Sequence, residues 1–298
     1  MKGVKKFKID TKELSQKEKV LFNKLISAAG LIASLYLKQK NNKYPGANFY
    51  PHDATKEEIE KAAKTTPAIL SPYTFIERDK SGKLIAIPYH LKFKKELKEI
   101  SKLLKEAASL SQDQNLKAYI RSRAEDLLTD NYDRSNVLWL KTEKYKIGCV
   151  IGAFDRYLDK LFFKKRAYMA WVGILDTKQT KEAEKLKSMV LLSERKYLPG
   201  AKKAKIPQIK VRVENSAIFS GLIADFMFVG NNLPSSADLY LIKFFFSSKG
   251  KILGPPVKSA RNTFPLYFPP RAFSNSFLTA LKFLGVVKTA TDGPVSIE

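Results

Sequence analysis

The chain has 298 residues, enough to bury a sizeable core, and 44% of them are hydrophobic, which excludes a disordered basic tail. Lysine and arginine total 54 against 29 acidic residues, a formal net charge of +25 that keeps nucleic acid and other polyanions among the expected partners. These charges run as lysine pairs along every segment, with no Arg-rich block or zinc knuckle, so polyanion binding is expected to be weak and sequence-blind.

Ser15 and Glu18 form a capping-box pair, and Val20, Leu21, Leu25, Ala28, Ile32 and Tyr36 follow at mainly helical spacing, predicting a helix to about Lys38. Asn41, Asn42, Pro45 and Gly46 break it. The string from Pro45 to Ala62, PGANFYPHDATKEEIEKA, contains a turn shaped by Pro51 and Asp53 and a second capping-box pair, Thr55 and Glu58. Tyr73 to Arg78 and Lys83 to Tyr89 flank Asp79-Lys80-Ser81-Gly82 and read as a hairpin. Helices are expected from about Phe93 to Leu110 and from about Asn115 to Leu128. Asn131 to Trp139 then leads toward strands.

Ile147 to Asp176 organises the chain. It holds Gly148 and Gly152 in an apolar run, then Asp155, Tyr157 and Asp159 at alternate positions, read as a polar row on an extended segment. A basic bend at Lys164, Lys165 and Arg166 precedes a second apolar strand through Met169 to Ile174. Lys178 to Leu198 is an amphipathic helix ended by Pro199 and Gly200, and from Pro207 the pattern turns β-like. Gly230-Asn231-Asn232-Leu233-Pro234 precedes a strongly apolar stretch, Leu239 to Ser247.

Cys149 is the only cysteine, so no intrachain disulfide forms, and its apolar neighbours predict a buried small hydrophobe. The first residues lack an apolar signal core, and Ala217 to Gly230 is too short to span a bilayer. The expectation is a soluble, cytoplasmic protein without a membrane partner. No phosphate loop, dinucleotide fingerprint or Gly-x-Ser-x-Gly elbow occurs.

Several of these strings, in order, resemble the dipeptidyl peptidase III family of zinc metallopeptidases, above all its shorter bacterial and plant branch. Ile151-Gly152-Ala153-Phe154-Asp155-Arg156-Tyr157-Leu158-Asp159 is similar to the family's Ile-Gly-x-x-Glu-x-Tyr-x-Asp block, with Asp155 for the usual Glu. The Pro45 string, the approach to Trp139 and the Gly230–Pro234 block resemble others, the last with Ser235 where an amide usually follows the proline. The resemblance covers roughly residues 12 to 277. It implies an α+β, two-lobed fold: a mixed helix and β-barrel-like lower lobe from 1–158 and 207–256, and an incomplete helical upper lobe from 159–206 and 257–298. It also implies a peptide cleft contacted by Asn232, Asp155, Tyr157 and Gly152.

The family's His-Glu-x-x-His helix should follow Pro269 to Phe277, but Leu278 to Gly285 reads LTALKFLG. The chain's two histidines, His52 and His90, lie far upstream and read as surface side chains. No catalytic residue, metal ligand or cofactor is therefore assigned. The expectation is a truncated or degenerate relative, inactive by itself, that retains peptide binding; the alternative is a basic polyanion-binding protein.

Overall fold

The computed structural model describes residues 2–142, 145–197 and 212–227. Contacts divide the chain into two compact units, one of residues 1–174 with 216–228, the other of 175–215 with 229–298.

The first unit is built on helix α1 (Gln16–Gln39). Both bonds of its capping box form: the Glu18 amide donates to Ser15 Oγ at 3.3 Å, and the Ser15 amide to Glu18 Oε2 at 2.7 Å. Leu25, Ala28, Ala29, Ile32, Ala33, Leu35 and Tyr36 are buried along it, wider than the single stripe of a surface helix. By length and composition α1 could cross a membrane, an apolar segment longer than Ala217–Gly230. Half of its most apolar window is buried within the protein, against α4 (Lys94–Leu110) and β4 (Ile147–Asp155), as in a core helix.

α4 packs on α5 (Gln114–Asp126), and α5 on α6 (Asp133–Leu140). The expected approach to the strands at Asn131–Trp139 is thus partly helical. β2 (Thr74–Arg78) and β3 (Leu84–Pro88) form the expected hairpin. Asp79 Oδ1 accepts the Ser81 and Lys83 amides in its turn, which fixes the loop locally. Before the hairpin, α2 (Lys56–Thr65) is capped by Thr55, but Glu58 does not close a capping box. Its carboxylate instead takes two bonds from the Arg78 guanidinium at 2.7 and 2.9 Å.

The main sheet has the order β1-β6-β5-β4, where β1 is Val4–Lys6, β5 Ala167–Leu175 and β6 Glu214–Gly221. β4 and β5 are antiparallel, with Gly152 opposite Met169, and a bulge lies between Ala153 and Asp155. The N-terminal β1 pairs antiparallel with β6, Val4 opposite Ser220. Four strands leave the sheet open, so the β-barrel-like lobe expected from the sequence has no closed barrel among the described residues. The architecture is mixed α+β.

In the second unit, α7 (Thr177–Tyr197) starts where Asp176 Oδ1 accepts the Gln179 amide at 2.9 Å. The Asp176 amide donates to the Val213 carbonyl at 2.9 Å, and the Val213 amide to Thr180 Oγ1 at 3.0 Å.

Candidate functional site

The polar row expected at Asp155, Tyr157 and Asp159 does not survive past the bulge. β4 ends at Asp155 and the chain turns, so period-two alternation stops there. Tyr157 is left 45% exposed, whereas Asp159 is fully buried. Asp159 organises the bend that follows. Its Oδ1 accepts the Leu161 and Phe162 amides at 3.2 and 3.1 Å, and its Oδ2 accepts those of Lys164 and Lys165 at 2.9 and 3.0 Å. The Tyr50 hydroxyl adds a fifth bond to Oδ2 at 3.2 Å.

Lys165 is the cation of this buried knot. Its Nζ donates to the carbonyls of Ile69 and Ser71 at 2.6 and 3.0 Å and to Thr74 Oγ1 at 2.7 Å, with the Tyr50 ring centroid 5.3 Å away. Burial pulls its ammonium down to about 7, opposed by the Asp159 carboxylate. The Lys160 amide also donates to the Pro45 carbonyl at 2.8 Å. The two most distinctive strings, around Pro45 and around Ile151, therefore lie against one another.

Gly152 serves packing. Its φ is 152°, and a Cβ there would sit 2.8 Å from Tyr132 Cε1 and 3.0 Å from Phe154 Cζ. Tyr132 and Phe154 in turn flank the buried Arg123 guanidinium, at 5.0 and 4.8 Å from the ring centroids. The Arg123 side chain also donates to Asn136 Oδ1 at 2.8 Å.

Tyr157 lines an open groove of about 440 Å³ with Tyr36, Lys40, Tyr44, Asp225 and Phe226. α1 supplies Tyr36 and its C-cap supplies Lys40; Asp225 and Phe226 come from α8 (Leu222–Phe226). Asp225 Oδ2 accepts the Tyr36 hydroxyl at 2.6 Å and the Lys40 ammonium at 2.5 Å. Burial, reinforced by the Asp225 carboxylate, holds the Tyr36 phenol well above the usual range, so it stays a protonated donor. The Tyr157 and Phe226 rings lie 6.3 Å apart, and Phe226 is 50% exposed.

Gly221 makes this placement of α8 feasible. At φ 68° it turns the chain out of β6, and a Cβ there would approach the Tyr168 carbonyl oxygen to 2.4 Å. Tyr36 and Lys40 read in the sequence as ordinary helix-end residues, and Asp225 as a charge interrupting an apolar run. Their four-residue spacing is the one local signal for the first pair. Asp155 closes β4 but, like Gly152, does not line the groove. Asn232 lies outside the described residues.

The histidines do not fit a metal centre. His52 Nε2 lies 3.1 Å from Asn41 Nδ2 and 3.2 Å from Asn48 Oδ1 in an exposed turn. The His90 ring meets Asp130 Oδ2 at 2.8 Å. Among the described residues no three His, Cys, Asp or Glu side chains are grouped to hold a metal ion. Cys149 is buried in β4 as expected.

No family model matches the chain. Its fold is similar to the structure of dipeptidyl peptidase III from Caldithrix abyssi, with a TM-score of 0.72 and 27% identity over 80% of this chain and 56% of that one. The dipeptidyl peptidase III structure from Corallococcus sp. strain EGB gives a TM-score of 0.64 and 26% identity over 74% of this chain and 51% of that one. A curated protein named Nudix hydrolase 3, from Arabidopsis thaliana, is 26% identical over 220 residues, 65% of this chain and 28% of its own length. The fold is thus dipeptidyl peptidase III-like, and the chain spans about half the length of those solved relatives.

Proposed function

We propose that this chain is a peptidase-like relative of dipeptidyl peptidase III that binds short peptides in the groove beside Tyr157 and, by itself, does not cleave them. What carries the reading is that Tyr157, within one of the family-like blocks, stands exposed on the wall of an open groove in a dipeptidyl peptidase III-like fold. The groove presents a phenol, ammonium groups and an aromatic pair, groups suited to hydrogen bonding a peptide backbone and packing its side chains.

Peptide hydrolysis at a zinc ion needs protein ligands for the metal and a carboxylate to take the proton from its bound water. The sequence has two histidines, separated by 38 positions between His52 and His90, and both are engaged elsewhere. The test is calorimetric titration with a neutral tetrapeptide, followed by product analysis of the same mixture with added zinc. Binding weakened by Tyr157→Ala, without dipeptide release, is expected. Release of dipeptides, or binding indifferent to Tyr157→Ala, would overturn the reading.

A further inference from the structure

We infer that the groove selects peptides bearing acidic side chains. This rests on the peptide-binding reading above and adds the chemistry of its preferred substrate. Three lysines, Lys40, Lys43 and Lys160, line the groove, against one carboxylate, Asp225. That carboxylate is already occupied, since it accepts from both Tyr36 and Lys40. Lys43 and Lys160 are exposed, and among the described residues no ion pair engages either ammonium. Their positions are fixed from the backbone. The Lys43 amide donates to Asn41 Oδ1 at 2.9 Å, and the Lys160 amide to the Pro45 carbonyl, tying the two wall segments together.

The groove therefore offers two ammonium groups outside any ion pair among the described residues, on two separate wall segments, with Tyr157 and Phe226 side by side. An extended peptide places alternate side chains toward the same face, so one with an aromatic residue near glutamates can meet both features at once. A single-stranded oligonucleotide also has rings and negative charge. The narrower occupant is favoured here: two lysines neutralise few phosphates, and dispersed lysines elsewhere attract polyanions without regard to this groove.

The test compares the peptide Ala-Tyr-Glu-Glu-Ala-Glu with its glutamine counterpart by calorimetry on the full chain. Two exposed charge pairs of this kind should make the acidic peptide bind about tenfold more tightly at low salt. Lys43→Gln with Lys160→Gln should erase most of that ratio. Lys102→Gln with Lys105→Gln, an equal charge loss on exposed residues of α4, should not. Equal affinity for both peptides would overturn the acidic preference and leave the peptide reading standing. No binding of either would overturn both. Equal losses from the two double variants would assign the preference to overall charge, and tighter Lys43- and Lys160-dependent binding of a thymidine hexanucleotide would reassign the groove to nucleic acid; either result overturns the proposal.

Discussion

Lys165→Met removes a buried ammonium while nearly keeping the side chain's volume, and its signature lies in the pH dependence of stability. The folded ammonium titrates near 7, below the free lysine value of 10.5, because burial disfavours its charge. Between those pH values the unfolded chain holds the additional proton, so stability contributed by this site rises with pH across the window and is level below it. The full displacement corresponds to about 5 kcal/mol, an upper bound. Three acceptors and the Asp159 carboxylate favour the charged form, and we expect about 2 to 3 kcal/mol of it to be realised. The variant lacks this rise. Loss of the donor to the Ile69 carbonyl costs the variant about 1 to 3 kcal/mol at every pH in this window, against the relief of the buried charge near neutral pH. Urea unfolding of both proteins from pH 7 to 10 measures the difference directly, since tyrosines ionising in the unfolded state affect both equally. A stability difference that stays constant across this range would refute the argument.

Two further outcomes rest on buried groups. Gly152→Ala drives a methyl group to 2.8 Å from the Tyr132 ring, and the cost of such overpacking, about 1 to 3 kcal/mol, should lower the melting temperature by several degrees; an unchanged melting curve would show that Tyr132 moves freely. Asp126 is buried beside Arg123, and burial raises its carboxyl from 3.8 to about 6. The folded state therefore holds the additional proton between those values, stability falls as pH rises through them, and Asp126→Asn should flatten that fall in denaturant titrations at pH 4 to 6.5.

Much of the fold was legible locally. The capping box at Ser15, the hairpin turn at Asp79, and the helical spacing of Leu97, Ile100 and Leu104 each fix their own element within a few residues. What escaped depends on distant partners. β1 is three residues long and polar in pattern, and it becomes a strand because β6, more than 200 positions on, offers it an edge. Glu58 looks like a capping-box residue until Arg78, brought up by the hairpin, takes its carboxylate. Asp159 shares the spacing of Asp155 and Tyr157, yet four backbone amides that converge only after the chain bends draw it inward.

That bend also determines what the site offers. Tyr50 and Lys165 belong to one buried knot around Asp159, and the turn leading into it leaves Tyr157 on the surface, two residues from a fully buried carboxylate. The Ile151–Asp159 block thus divides its residues between two roles. Gly152 and Asp159 hold the sheet and the bend, and Tyr157 faces the groove. A substitution at Asp159 would reach the groove only by releasing this turn, so lost binding would arrive together with lost stability. A substitution at Tyr157 should separate them. The groove's own groups suit the proposed recognition: the Tyr36 phenol, held protonated, and the lysines lining the groove can hydrogen bond an extended backbone. Asp225, the one carboxylate lining the groove among the described residues, is held by Tyr36 and Lys40. Recognition of a peptide is the chemistry we propose for this arrangement.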